Sequence, residues 1–195
     1  MTRSAPLRLA LAASLALAAP VLAPPAQARA PSDAASLALA PDPVAECDRL
    51  AAWAPDPQRT AAPVAGPALP AGPARAACLA AVAARPDLPR LRFQLARALW
   101  RLGDQAVAYA LLEQAADQGS PAAYLVLGSL FESGEHVRQD DVVALLHYLE
   151  AARRGAPEGR RAAAGIWSDP ASPSHDARLA ATAEAPLDPR VIADW

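Results

Sequence analysis

The pattern Ala115-Ala116-x-x-Gly119 recurs as Ala151-Ala152-x-x-Gly155, an offset of 36 residues. Ala108 and Leu112 fall on Ala144 and Tyr148 at the same offset. Upstream, Leu95-Ala96-x-x-Leu99 falls on Leu127-Gly128-x-x-Phe131, but there the offset is 32, so four extra residues lie in GEHVRQD (134–140). A third unit begins with Ala164 under Gly128 and Trp167 under Phe131, and Pro170 cuts it off. Self-similarity at such a period marks a helical repeat array. A single helix pair cannot bury its own apolar faces, so neighbouring pairs must stack. Small residues at the matched positions let helices approach closely, while Leu, Phe and Tyr fill the gaps between pairs. The expected fold is all-α: a short α-solenoid of antiparallel helix pairs.

Helix starts and stops agree with that period. LRFQLARALWRL (91–102) places Leu91, Leu95, Ala98, Leu99 and Leu102 on one stripe at helical spacing. Gly103-Asp104 turns the chain into a second helix over 105–118, which Gly119 closes. Ser120-Pro121 opens a third over 122–133, and Asp140 caps a fourth over 141–154 that ends at Gly155. A fifth spans 158–167 and stops at Asp169-Pro170. Ahead of the array, Asp42-Pro43 starts a helix through 44–53, and Pro73 opens another over 74–84 that Arg85-Pro86 ends. No segment reads as a strand.

Arg3 and Arg8 precede a charge-free Ala/Leu-rich run from Leu9 to Ala23, followed by Ala26-Gln27-Ala28. This is the layout of a secretory signal peptide, residues 1–28, with cleavage expected after Ala28 and the mature chain periplasmic or secreted. Pro20, Pro24 and Pro25 break the run, which argues against an anchor of about 20 apolar residues. No membrane association is expected after cleavage. Residues 29–41 read as a disordered spacer. Export makes a bridge the default for Cys47 and Cys78. The bridge would staple a segment, 42–88, whose loop holds Pro55, Pro57, Pro63, Pro67, Pro70 and Pro73 and so cannot be one helix. A metal site or a reactive thiol competes, but no nearby histidine or further cysteine completes a ligand set.

With the units placed, the second resembles the Sel-one-like repeat family, a longer relative of the tetratricopeptide repeat. The residues that carry the resemblance are Ala123, Leu127, Gly128, Leu130, Phe131, Gly134, Val137, Asp140, Ala144, Tyr148, Ala151, Ala152 and Gly155. Two positions depart from the family: His136 stands at its second loop glycine and His147 at its tryptophan. The loop glycine implies a positive φ, which histidine tolerates better than most residues. The first unit, 89–121, is closer to a plain tetratricopeptide pattern through Ala96, Leu99, Gly103, Ala108, Leu112 and Ala115. CDRLAAWAPDPQR (47–59), with its second cysteine at 78, resembles a leader found before such repeats in exported proteobacterial proteins. The resemblance spans about residues 44–167, with the repeats proper over 89–168. It implies a non-enzymatic module that binds a protein partner, a regulator or scaffold of envelope processes.

Candidate chemistry is sparse. Glu132, His136, Asp140 and His147 form the one group that a small metal-binding protein or hydrolase could use. Against it, Gly134 interrupts the four-residue spacing of Glu132 and His136, Asp140 reads as a helix cap, and His147 sits at a packing position. No nucleophile with a His/Asp arrangement and no phosphate loop is present, so neither catalysis nor a cofactor is expected. The net charge of −2 with no basic block argues against nucleic acid. Arg90, Gln94, Arg97 and Arg101 share a helix face opposite the apolar stripe; they read either as a docking ridge for an acidic partner or as a solvated face. The Pro-rich tail, 169–195, ends in Val191, Ile192 and Trp195. Those apolar residues either cap the last repeat or serve as a peptide for another protein.

Overall fold

The computed structural model describes residues 41–182, together with Ile192 and Trp195. The expected signal peptide, nearly all of the spacer, and Val191 lie outside the described residues. Among the described residues the chain is all-helical, without a strand. The helices are α1 (Pro43–Ala51), α2 (Ala71–Ala84), α3 (Pro89–Arg101), α4 (Gln105–Asp117), α5 (Pro121–Ser133), α6 (Asp141–Arg153), α7 (Glu158–Ser168) and α8 (Ala177–Thr182). Each packs on its successor in sequence; α1 also reaches α3, and α3 reaches α5.

Local chemistry sets the boundaries. Asp42 accepts from the Val44 amide at 3.0 Å ahead of Pro43, and Ser120 from Ala123 at 3.2 Å ahead of Pro121. Asp140 accepts from Val142 and Val143, both at 3.1 Å. Each cap satisfies amides that the first turn leaves without a helical partner. Helix ends repeat as the sequence does. Gly119 and Gly155 have φ of 92° and 97°. Behind them Ser120 N donates to Ala115 O at 2.9 Å, and Ala156 N to Ala151 O at 3.0 Å. This is the same left-handed closure built twice on the matched residues. Two departures stand out. Helix α2 begins at Ala71 rather than beside Pro73, which occupies its first turn, where a missing amide costs little. Helix α8 arises within the Pro-rich tail, where the sequence pattern assigns no helix, with Asp176 accepting from the Arg178 and Leu179 amides.

Alanine builds much of the core. Ala96, Ala108, Ala115, Ala144 and Ala151 are fully buried, as are Leu112 and, within 1%, Tyr148. Gly128 shows why small residues are needed: a Cβ there would lie 2.6 Å from the Tyr148 ring. Gly159 is tighter, with a Cβ only 2.1 Å from the Tyr148 carbonyl oxygen. Upstream, Cys47 and Cys78 form the expected disulfide, joining α1 to α2 with both side chains buried. The tail corrects one reading. Ile192 and Trp195 are both buried, and the Trp195 ring seats on α3 rather than on the last helices. Trp195 lies against Phe93 and Trp100 of α3, with ring centroids 6.4 and 4.8 Å apart, and Phe93 in turn meets Trp53 at 5.4 Å.

Candidate functional site

The polar face of α3 is the first place where a functional side chain was expected, and most of it is interior. Gln94 and Arg97 are fully buried, and the Arg90 side chain is 14% exposed; only Arg101 faces solvent. Their partners come from the disulfide segment, which covers this face. Arg97 donates from Nη1 to the carbonyls of Ala51 (2.8 Å) and Ala52 (3.0 Å), and from Nη2 to that of Val64 (2.9 Å). Arg90 forks onto the two Asp48 oxygens at 3.1 Å, joined by Gln94 at 2.9 Å and the Thr60 hydroxyl at 2.6 Å. Burial works against the Asp48 charge, yet these three donors together hold its carboxyl below the ordinary range. The docking ridge is thus corrected at three of four positions: Arg90 and Gln94 are held by Asp48 of α1, and Arg97 by carbonyls at the end of α1 and in the loop that follows it. A helix face can be polar because another part of the chain supplies the complementary groups.

The connector group also separates. Glu132 accepts from the Tyr148 hydroxyl at 2.5 Å, and burial pushes its carboxyl up despite that donor. Asp140 is committed to its cap. His136 sits edge-on to Trp100 at 5.0 Å and has φ of 62°, the one positive value at a non-glycine among the described residues. The loop therefore takes the left-handed turn that a glycine would favour, with histidine supplying a ring contact that glycine lacks. His147 stacks on Phe131 at 5.5 Å with planes 16° apart. Among the described residues, no group of three or more His, Cys, Asp or Glu is arranged to hold a metal ion.

What the helices do bring together is a groove of about 380 Å³ between α4, α5 and α6. Tyr109, Glu113 and Asp117 line it from α4, at spacings of four residues that put them on one face. Tyr124, Leu127 and Phe131 come from α5 at spacings of three and four residues, again on one face, and His147 from α6. The floor is Ala116 and Leu127, both buried, so the groove is apolar at its base and acidic at its rim. Burial raises the Tyr109 hydroxyl, and Glu113, which accepts from it, adds to the shift. Burial lowers the His147 imidazole below its ordinary value, so at neutral pH it stands uncharged between Phe131 and Tyr124. The Arg154 guanidinium lies 5.2 Å over the Tyr124 ring, a cation–π contact. Arg154 reaches that place across Gly119, where a Cβ would meet its Nη1 at 2.5 Å, and Glu150 holds its Nε at 2.7 Å.

The sequence reading singled out Phe131 and His147 as packing residues, without the groove they share with Tyr109 and Tyr124. The signal was present as aromatic residues near the matched small ones, but joining three helices needs their crossing geometry. No protein-family model matches the chain, and no curated protein matches it.

Proposed function

We propose that this chain is an exported, non-enzymatic interaction protein that binds a protein partner through the α4–α5–α6 groove. The groove carries the reading: an open, aromatic-walled concavity framed by three helices. Surfaces that combine aromatic side chains with a polar rim are those that partner proteins use. The finer fold is proposed with it. Helices α3–α4 and α5–α6 are taken as two units of a short Sel-one-like or tetratricopeptide-like solenoid, and α7 as the start of a third. The identical helix closures at Gly119 and Gly155 and the paired burial of Ala115 with Ala151 support that assignment. Export to the periplasm or beyond is supported by the leader pattern of residues 1–28 and is compatible with the buried disulfide.

A photo-crosslinking residue tests the site. Placed at Asp117 on the groove rim, in cells that make the protein, it is expected to give a discrete adduct. The same group at Arg75, exposed on α2, is the control. Equal adducts from both positions, or none from Asp117, would remove the groove from the reading. Amino-terminal sequencing of the mature chain checks export, with Arg29 expected as the first residue.

A further inference from the structure

We infer that the groove recognises a single arginine side chain presented by the partner protein, an inference that rests on the interaction reading above. Four rings wall the groove, those of Tyr109, Tyr124, Phe131 and His147, and two carboxylates, Glu113 and Asp117, stand exposed at its rim. Ring faces attract a cation through their quadrupole, and carboxylates bind guanidinium more strongly than any neutral group. An anion would meet two like charges here. A purely aliphatic anchor would strip water from both carboxylates and return nothing to them. The volume, about 380 Å³, lies near the low end for ligand pockets and suits one long side chain rather than a docked helix.

The molecule already holds one arginine by the same means. Arg154 lies over Tyr124 at 5.2 Å with the Glu150 carboxylate on its Nε at 2.7 Å. The groove offers ring faces, that of the same tyrosine among them, and carboxylates again. His147 fits this role because its neutral ring stacks without repelling a cation. Arginine is favoured over lysine because a planar guanidinium can lie flat on a ring while its edge donates to a carboxylate.

The test is a titration of the full 15N-labelled chain, followed by amide chemical shifts. The probes are the N-acetyl, N-methylamide derivatives of arginine, lysine, glutamate and leucine. The arginine derivative is expected to give saturable shifts confined to the groove residues, with lysine at least threefold weaker and glutamate and leucine silent. Glu113→Gln/Asp117→Asn, at two exposed positions that leave the core intact, is expected to weaken arginine at least tenfold. Shifts that fail to saturate, that scatter over the surface, that appear equally with leucine, or that survive the double substitution would overturn the proposal. So would lysine binding more tightly than arginine. An Asp117 crosslink obtained while this titration fails would leave partner binding standing and dismiss the arginine chemistry alone.

Discussion

Asp56 gives the sharpest test of the energetics around the disulfide segment. Its side chain is 1% exposed; Oδ1 accepts from the Gln58 amide at 2.8 Å, while Oδ2 has no hydrogen-bond partner. Burial is the dominant cause that pushes its carboxyl from 3.8 up to about 6; Arg90 and Arg59 oppose the shift and Asp48 adds to it. A carboxyl raised in the fold contributes stability that is complete below the unfolded value and is lost as pH rises through about 6. The full shift of roughly two units corresponds to about 3 kcal/mol, at roughly 1.4 kcal/mol per unit. Between pH 7 and pH 5, where the unfolded carboxyl stays ionised, about 1.3 kcal/mol of it should return. Asp48, held low, does not titrate in this window. His147, lowered by burial, acts in the opposite sense, and Glu132, raised, in the same sense. The comparison is therefore wild type against Asp56→Asn, by urea unfolding at constant ionic strength. The variant should be more stable at pH 7 by about 1–2 kcal/mol, less than the full shift because its amide also lacks a partner. Its advantage should shrink by about 1 kcal/mol at pH 5. If the difference between the two proteins did not change with pH, the buried charge would not be its origin.

Replacing both cysteines by serine removes a bridge across a sequence separation of 31 and should cost about 3–4 kcal/mol in equilibrium unfolding. Arg97→Met orphans the carbonyls of Ala51, Ala52 and Val64; a loss of about 3–5 kcal/mol is expected, with protease cutting first within residues 54–70. No change in that cleavage would contradict the guanidinium's role as the loop's anchor. Three glycine-to-alanine changes should rank by their surroundings in thermal unfolding. Gly165→Ala, with nothing within 4 Å, should stabilise by about 0.5–1 kcal/mol. Gly128→Ala should cost about 1–3 kcal/mol against a ring that can shift, and Gly159→Ala more, because its obstacle is backbone.

Features decided within one turn of helix were legible in the sequence. Asp42, Ser120 and Asp140 cap their helices as their positions beside proline or an apolar run imply. Gly134 takes the left-handed conformation at the end of α5, and His136 follows it in the loop. What failed to read was decided by segments distant in the chain. The row Arg90, Gln94, Arg97 has the period of a solvated face, and periodicity separates faces without saying what covers each. The cover is α1 and the loop after it, more than 30 residues upstream, whose carbonyls converge on one guanidinium. Trp195 likewise has no local signal for its seat on α3. The groove stayed hidden for the same reason: Tyr109, Tyr124 and His147 belong to three helices, and the internal match aligns helices by kind without setting the angle between them.

Phe93 of α3 meets Trp53, from the segment between α1 and α2, and Trp195, from the tail. Arrays of stacked helix pairs ordinarily gain and lose units with little penalty, because each unit answers only to its neighbours. Here a residue from each flank, Trp53 and Trp195, is tied to one ring. One ring thus fastens both flanks of the proposed solenoid to its first helix pair.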